Sequence, residues 1–475
     1  MQAKSNAAVF IGMTYPWGVI RHFALLGVEL CKNSTENIDI YYASIYRDAD
    51  RGAWGIVNSA LPESRIIRSV TFAEVLDRIS SLCLKYEKVL IHCGGGWGQM
   101  IELIKLRRRV GKGVWRKIRI VVTTHSFNNG TWKRIPTCFV QFFLYLFFAD
   151  LVIFPCEWIK KRFTAATLLN FLGKTSVVPL GCEGFSIETI KRDVPTSIQA
   201  TSMKDLFRKE ADIFKLIYLA AFRKGKMHEW LVSAIAPVLL RNKKVYLLLC
   251  GVGDREIIQS VKNTVERLGL KDQIILPGQI PREDVPWLLS HCDCAIVPSR
   301  SETFGHCFLE PMFAGIPVLG TQVGVGKDVI LDNQTGHSFS LSKNSSLVDA
   351  VEWMIKNRHI LKQMGASAKK LVEEKYTHTT VASQLIRLYA KVLGVEERPK
   401  VNIEGEPYKP NIELIRHLMG LSRDECYEFR HKLNNKNSDN SIKDTIDFLL
   451  SCRERSAPIE GEKVFVLDSL LRGDI

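Results

Sequence analysis

Short apolar runs alternate with longer amphipathic stretches through the first 200 residues. The runs are rich in Val, Ile and Tyr, and between most of them lies enough chain for a helix. This alternation is typical of βαβ units and predicts a parallel sheet. The predicted strands are Ala8–Gly12, Ile38–Ser44, Lys88–His92, Ile118–Thr123, Leu151–Pro155 and Thr175–Pro179.

The alternation stops at a polar, linker-like stretch over residues 186–211 and then resumes. The second stretch of this alternation predicts another doubly wound α/β domain. The predicted strands are Phe214–Ala220, Val245–Cys250, Gln273–Leu276, Cys294–Val297 and Pro317–Gly320, and the predicted helices are Glu229–Leu240, Arg255–Leu268 and about 345–373 and 377–393.

The last 80 residues follow a different pattern. A linker containing Pro, Gly and Glu precedes two helical stretches, at about 411–434 and 441–452, which predict a small helical appendage without recognisable chemistry. The predicted organisation is a first domain at 1–200, a second at 212–375, a helix at 376–395 that returns to the first domain, and the extension at 396–475.

Composition adds a charge asymmetry to this picture. The 475 residues are 46% hydrophobic and 24% charged, which is ordinary for a globular protein and excludes a disordered or collagenous chain. The formal net charge is +15, and residues 1–200 hold 26 Lys and Arg against 15 Asp and Glu. Such an excess attracts polyanions, namely nucleic acid, nucleotides or an anionic membrane face.

Cysteine usage and the chain start favour a cytoplasmic protein. The 12 cysteines are scattered and resemble reduced core residues rather than a disulfide framework, and no secretory signal is visible. The aromatic run at 138–154 is short for a spanning helix. It predicts a buried helix and a buried strand, with an interfacial helix at 139–148, beside Lys133 and Arg134, as the alternative.

The segment Pro298–Gly320 carries the most chemistry. A buried strand runs into a loop, a helix is predicted to begin near Phe304–Gly305, and Gly315 and Pro317 end it. Open α/β sheets bind ligands at the carboxyl ends of their strands. The backbone amides at the helix start would point at an anion such as a phosphate.

Two carboxylates frame this helix, Glu302 in the loop and Glu310 eight positions later. Carboxylates beside a phosphate would repel it, but they are suited to bind sugar hydroxyls through charge-assisted hydrogen bonds. The plain alternative is a favourable acid at a helix N-terminus and a solvated face residue.

These residues resemble the retaining GT-B glycosyltransferases of family four, also called group one. The signature of that family is Glu, seven residues, Glu and then a Gly-Pro turn, as in Glu302, Glu310, Gly315 and Pro317. The resemblance covers about 213–395 well, 1–185 loosely and 396–475 not at all. It implies a GT-B fold of two Rossmann-like, doubly wound domains facing a cleft, to which this chain adds its helical appendage.

The resemblance also implies donor-binding roles. Glu310 is expected to bind the nucleotide ribose and Glu302 the donor sugar, while the amides of Thr303, Phe304, Gly305 and His306 hold the diphosphate. Pro311 departs from the family pattern and removes one helical hydrogen bond, so a kink or a short helix is expected.

A basic cluster follows the first strand of the second domain. Arg223, Lys224 and Lys226 are candidates to stabilise a leaving diphosphate, and a solvated basic turn is the plain alternative. The family carries an Arg and, about five residues later, a Lys followed by Gly. Lys226 matches the Lys, an Ala stands at the Arg position, and Arg223 is the candidate substitute.

Three further residues are predicted to line the site. His125 ends a first-domain strand, and the resemblance implies that it contacts the donor sugar, although a lone strand-end His is more often structural. Gly18 opens the first predicted helix and is a candidate to meet phosphate or acceptor. Gly251 belongs to a GVGD loop that resembles a family loop near the nucleotide.

No metal and no cofactor are expected. The Asp48-x-Asp50 pair lies in a polar loop, and the spacing of His291, Cys292 and Cys294 does not suit a closed zinc site. The prediction is transfer of a sugar, with retention, from a nucleotide-diphospho-sugar substrate to a glycan or lipid-linked glycan acceptor.

The basic first domain extends this prediction to an anionic membrane surface, so that the protein is cytoplasmic and peripheral at the inner membrane face. Two alternatives remain open, a nucleotide-sugar epimerase of the same fold and a non-catalytic nucleotide-sugar scaffold. Nucleic-acid binding is not expected, because no aromatic-basic module accompanies the charge.

Overall fold

The computed structural model describes most of the chain up to residue 395, in two compact units. The first unit comprises Met1–Phe154, Lys161–Ser176 and Ser383–Ile475, and the second comprises Pro155–Lys160 and Val177–Ala382. The described residues are 6–12, 19–35, 37–45, 51–69, 71–94, 97–124, 144–163, 169–170, 172–185 and 213–395. The predicted linker at 186–211, the predicted appendage at 396–475, Gly18 and His125 lie outside them.

The first unit contains a seven-stranded parallel sheet in the order β3-β2-β1-β4-β5-β6-β7. Its strands are β1 (Asn6–Ile11), β2 (Ile38–Ile45), β3 (Ile66–Ser69), β4 (Lys88–Gly94), β5 (Ile118–Thr123), β6 (Leu151–Phe154) and β7 (Thr175–Val177). The helices described in this unit are α1 (Val19–Lys32), α2 (Arg51–Ala60), α3 (Phe72–Lys85), α4 (Trp97–Arg109) and α5 (Lys112–Trp115). The next helix, α6 (Glu157–Arg162), belongs to the second unit up to Lys160.

All six predicted first-domain strands are confirmed within a few residues, and β1 lies in the middle of the sheet. Ala8 stands opposite Ile40 on one side and Leu90 on the other, so β1 is buried along its whole length. Strands covered on both faces are expected to be near-continuous apolar runs, as these are. β3 was not predicted, because its four residues include Arg68 and offer too short a run.

The second unit contains a six-stranded parallel sheet in the order β10-β9-β8-β11-β12-β13. Its strands are β8 (Phe214–Leu219), β9 (Val245–Cys250), β10 (Ile274–Gly278), β11 (Cys294–Val297), β12 (Val318–Gly320) and β13 (Gly336–Ser338). The helices are α7 (His228–Arg241), α8 (Arg255–Arg267), α9 (Val285–Ser290), α10 (His306–Phe313), α11 (Gly326–Val329), α12 (Asn344–Lys356) and α13 (Leu361–Lys375). A last helix, α14 (His378–Leu393), begins in the second unit and belongs to the first unit from Ser383 onwards.

One prediction for this unit needs correction, and one strand was missed. The single helix expected at about 345–373 is two helices, α12 and α13, separated by a 3-10 turn at Arg358–Ile360. Asn357 precedes that turn, and its side-chain amide donates to the Trp353 carbonyl, which competes with helix continuation. The three-residue strand β13 was not predicted, because Gly-His-Ser carries no apolar alternation.

A buried histidine joins three elements of the first unit. The imidazole of His92 on β4 is 2% exposed; its Nδ1 lies 2.6 Å from the Tyr389 hydroxyl and its Nε2 lies 2.7 Å from Thr123 Oγ1. Tyr389 belongs to α14, so the end of this helix is tied to β4 and β5.

The aromatic run is described in part. Leu144, Tyr145 and Phe148 are buried, and β6 is buried throughout, as the first interpretation of this run expects; residues 139–143 lie outside the described part. Within the described residues, no helix is long and apolar enough to cross a membrane.

A second buried histidine stands at the first position of α7. His228 is 1% exposed, and its ring stacks on Phe222 with centroids 4.0 Å apart and lies 4.7 Å from the Tyr218 ring. Neither ring nitrogen has a hydrogen-bond partner among the described residues. Burial, with the nearby Lys226 charge, lowers the pKa of His228 to about 3. The imidazole is therefore neutral in the folded protein at neutral pH.

This histidine predicts a stability that falls in acid. An unfolded His has a pKa near 6.5, so below that pH the unfolded chain binds a proton that folded His228 refuses. His228 therefore contributes stability that is present above about pH 6.5 and is lost, at roughly 1.4 kcal/mol per pH unit, as the pH falls towards 3. Replacing His228 with Phe removes this term and two unpaired buried nitrogens, so we expect His228→Phe to melt at a higher temperature than the native protein at pH 5.

Thermal melting at a series of pH values between 7.5 and 5 measures the effect. His359→Phe is the matched control, because His359 is exposed. Curves of equal steepness for the native protein and His228→Phe would show that His228 is not the buried neutral group described.

Candidate functional site

The sheet order of the second unit brings two loops together. β8, β11 and β12 are parallel neighbours, so their carboxyl ends lie at one edge of the sheet. The basic turn at 223–227 follows β8, and the loop with Glu302 follows β11. In an open α/β sheet this edge is where ligands bind.

Buried hydroxyls fix these two loops to each other. The Tyr218 hydroxyl on β8 donates to the Lys226 carbonyl at 3.1 Å and lies 3.2 Å from Ser299 Oγ. Thr321, just after β12, donates from its hydroxyl to the Ser299 carbonyl at 2.6 Å. The loop after β11 is thus tied to both neighbouring strands, and the positions of Lys226 and Glu302 depend on these bonds.

The start of α10 requires a glycine. Gly305 has φ 102°, and a Cβ there would lie 2.8 Å from the Phe308 ring. Among the described residues none accepts a hydrogen bond from the N–H groups of Thr303, Phe304 and Gly305. These three donors are available to an anion, in the way expected of a helix N-terminus.

α10 is short, as Pro311 led us to expect. It spans eight residues and ends two positions after this proline. Gly315 has φ 80°, and the N–H of Ile316 donates to the Pro311 carbonyl at 3.1 Å, which closes the helix in a Schellman-like turn. The predicted role of Gly315 in ending the helix is confirmed.

An ion pair joins the two loops. Lys226 Nζ lies 2.5 Å from Glu302 Oε1, and the Cys307 sulfur lies 3.9 Å from the ammonium and 3.7 Å from the carboxylate. Burial opposes the charged form of Lys226, but the Glu302 carboxylate favours it, and the pKa of the ammonium is raised. Burial raises the pKa of the Cys307 thiol to about 12, so this group is an uncharged neighbour of the pair.

Glu310 belongs to a second charged group. Its carboxylate lies 3.6 Å from Arg282 Nη1, and Arg282 also donates from Nη2 and Nε to Glu183 Oε2 at 2.7 and 3.2 Å. Burial raises the pKa of Glu310 above its ordinary value, and the Arg282 charge opposes that rise. The sequence interpretation missed Arg282 and Glu183, because they are 99 residues apart and no local motif links them.

His306 contributes a side-chain contact that was not predicted. Its Nε2 lies 3.2 Å from the Gly181 carbonyl, two residues before Glu183. Burial lowers the pKa of His306 to about 4, so the neutral ring donates this hydrogen bond. The predicted use of its backbone amide in binding the diphosphate stays a prediction.

The remaining predicted residues lie around this core. Arg223 is exposed and precedes the 3-10 turn Lys224–Lys226. Met227, where the family has Gly, has φ 58°, the left-handed region that favours glycine. Gly251 has φ 145°, and a Cβ there would lie 2.1 Å from the Ala220 carbonyl oxygen. Close backbone packing therefore explains Gly251 without a ligand.

Gly18 and His125 lie outside the described residues, so their predicted roles stay predictions. In the described part of the chain, no group of three or more His, Cys, Asp or Glu side chains is arranged to hold a metal ion.

Comparison with known sequences gives a family match. Residues 201–371 match the family model "Glycosyl transferases group 1". The N-acetyl-alpha-D-glucosaminyl L-malate synthase of Bacillus anthracis is 28% identical over 186 residues, 39% of this chain and 48% of that protein. The phosphatidyl-myo-inositol mannosyltransferase of Mycobacterium leprae is 28% identical over 163 residues, 34% of this chain and 42% of that protein. The chain spans about half the length of the curated relatives it matches.

Solved structures agree on the fold over a greater length. Anabaena Alr3699/HepE, in complex with UDP and glucose, has a TM-score of 0.60 at 15% identity and covers 81% of this chain and 99% of its own. A glycosyltransferase from Rickettsia africae has a TM-score of 0.63 at 14% identity and covers 82% of this chain and 100% of its own. The two parallel-sheet, Rossmann-like units and these neighbours show a GT-B fold. Within that fold, residues 201–371 are similar to the glycosyl transferases of group 1.

Proposed function

We propose that this protein transfers a sugar from a nucleotide-diphospho-sugar to an acceptor hydroxyl. The observation that carries the proposal is the Lys226–Glu302 ion pair at the start of α10, beside three backbone N–H donors. A cation and free amides suit a diphosphate, and a carboxylate suits sugar hydroxyls. The family match and the UDP-bound neighbour support a nucleotide-sugar donor.

The ion pair suits the departure of a diphosphate. An ammonium has three N–H donors; Glu302 Oε1 accepts from one, and Cys307 Sγ, at 3.9 Å, accepts from a second. The third would meet an oxygen on which charge develops as the sugar leaves, where a pre-positioned cation stabilises the transition state. Glu302 keeps Lys226 charged and in place, and its second oxygen would accept a donor-sugar hydroxyl. Retention of configuration and independence from metal are part of this proposal, on the family resemblance.

The acceptor in this proposal is a hydroxyl of a glycan or a lipid-linked glycan. The Mycobacterium leprae relative is named as a phosphatidyl-myo-inositol mannosyltransferase, which is consistent with an acceptor at a membrane. The basic first unit supports the same location, at the cytoplasmic face.

Donor turnover tests the role of Lys226. We expect Lys226→Gln to lower the release of nucleoside diphosphate from the accepted nucleotide-sugar by roughly 100-fold or more, the usual cost of losing a transition-state charge partner. Lys224→Gln is the matched control, because Lys224 is exposed in the same 3-10 turn and should retain most of the activity. The donor is first identified by a thermal-shift screen of UDP- and GDP-sugars, since a ligand of the folded state raises the melting temperature.

Three results would contradict the proposal. The first is the absence of a thermal shift with every nucleotide-sugar, and the second is a shift that survives in Glu310→Ala. The third is product formation from a nucleotide-sugar without any acceptor and without nucleoside diphosphate release, which would favour the epimerase alternative.

Membrane association in this proposal rests on a basic surface of the first unit. We define the basic surface as Lys105, Arg108, Lys112 and Arg116, all exposed on or beside α4 and α5. The sequence has no Asp or Glu between residues 102 and 150. Trp115 lies half-buried on α5, with the Arg107 guanidinium 5.7 Å from its ring. An anionic headgroup layer suits such a surface.

Vesicle sedimentation tests this surface. At low salt we expect binding to vesicles that contain anionic lipid and none to purely zwitterionic vesicles. Lys112→Glu with Arg116→Glu should weaken binding by about tenfold or more, because each basic residue near an anionic surface contributes about 1 kcal/mol. Lys262→Glu with Lys362→Glu, exposed in the second unit, makes the same change in net charge and should bind like the native protein. Equal losses in both variants would exclude the basic surface, and no binding by the native protein would end the membrane proposal.

A further inference from the structure

The guanidinium of Arg282 lies between two carboxylates from distant parts of the second unit. Its Nη2 and Nε hydrogen-bond Glu183, and its Nη1 lies 3.6 Å from Glu310. The contact with Glu183 is thus the closer one. Glu310 is held at ion-pair distance, which leaves its oxygens able to accept hydrogen bonds from a bound hydroxyl.

Glu183 is a fixed anchor for Arg282. The N–H of Cys182 donates to the Tyr376 carbonyl at 2.8 Å, and the Gly181 carbonyl accepts from His306. Gly181 itself packs so closely on His378 that a Cβ would lie 2.3 Å from the ring. These contacts fix the segment before Glu183, so the Glu183–Arg282 bond sets where the guanidinium stands relative to α10.

Glu310 needs a cation in order to remain ionised. Its side chain is 16% exposed, and burial favours the protonated acid. The Arg282 guanidinium, 3.6 Å away, opposes the rise in the pKa of this carboxyl that burial causes. Without Arg282, the carboxyl would become protonated more readily and would lose the contact that orients it. A protonated carboxyl is a poorer acceptor for hydroxyls than a carboxylate.

We infer that Arg282 is a positioning residue, which holds Glu310 ionised and oriented to accept hydrogen bonds from the ribose hydroxyls of the donor nucleotide, with Glu183 as its anchor. The inference rests on the proposed function, since it assumes that a nucleotide occupies this site. It assigns the preference for a ribonucleotide over a deoxyribonucleotide to a pair of residues of which only Glu310 contacts the nucleotide.

Calorimetric binding of nucleoside diphosphates tests this inference. The probes are UDP and GDP with their 2′-deoxy counterparts, and the measured quantity is the ratio of the two dissociation constants. We expect the native protein to prefer the ribonucleotide by roughly 10- to 100-fold, as for a hydrogen bond to a charged group. Arg282→Gln should bring that ratio to within about threefold of unity, chiefly by weakening the binding of the ribonucleotide.

Three variants complete the test. Arg282→Lys keeps the positive charge but loses the planar set of guanidinium N–H donors, so it should retain part of the preference that Arg282→Gln loses. Glu183→Gln keeps Arg282 and Glu310 in the sequence but weakens the anchor of the guanidinium, so it should give an intermediate ratio. Arg241→Gln is the control, because Arg241 pairs with Glu352 at the surface at the end of α7 and should keep the native ratio.

The outcomes separate this inference from the proposed function. If no nucleoside diphosphate binds to the native protein, the proposed function fails and the inference fails with it. If the native protein prefers the ribonucleotide and Arg282→Gln keeps that preference, or weakens both nucleotides equally, only the inference is overturned. Should Arg282→Gln fail to fold, the same ratio of dissociation constants is measured for Glu183→Gln. A ratio equal to that of the native protein then overturns the inference. Where turnover is measurable, Arg282→Gln should raise KM for the nucleotide-sugar and leave kcat nearly unchanged, because the residue acts on ground-state binding.

Discussion

The parallel pairing of β8 with β11 is the constraint on which the candidate site depends. Cys294 stands opposite Leu216 and Ala295 opposite Ile217, so the two strands end at the same edge of the sheet. Only this register lets Lys226, seven residues beyond β8, meet Glu302, five residues beyond β11. The ion pair is therefore a consequence of backbone topology, and the buried hydroxyls of Tyr218, Ser299 and Thr321 hold it there.

Glycines allow the loops at this edge of the sheet to pack closely on each other. Gly324 has φ 55°, and a Cβ there would lie 2.3 Å from the Phe304 carbonyl oxygen and 2.8 Å from the Glu302 side chain. The loop after β12 thus packs directly on the loop after β11, and Val325 donates its N–H to the Phe304 carbonyl at 2.7 Å. Because Gly305 and Gly324 both have positive φ, larger residues at either position would move Glu302.

The sequence was informative where the signal was local. Apolar runs such as β1 and β8 identified the two sheets, and the spacing of Glu302, Glu310 and Gly315 identified α10. Short elements such as β3 and β13 were not predicted, because their pairing with neighbouring strands, and not their own composition, makes them strands. The partners of Glu310 were not predicted either. Glu183 follows the isolated bridge at Cys182, Arg282 opens a 3-10 turn, and only the folded chain brings the two together.

The charges of the site explain why a basic turn stands next to it. Each of the two cations Lys226 and Arg282 is already paired, and together they face three carboxylates, Glu183, Glu302 and Glu310. A diphosphate would add further negative charge to a group that is not positive on balance. The backbone N–H donors of α10 supply part of the compensation through the helix dipole. The exposed cation Arg223, three residues before Lys226 along the chain, is placed to supply more, so the preference of this site for an anion depends on charge outside the buried pairs.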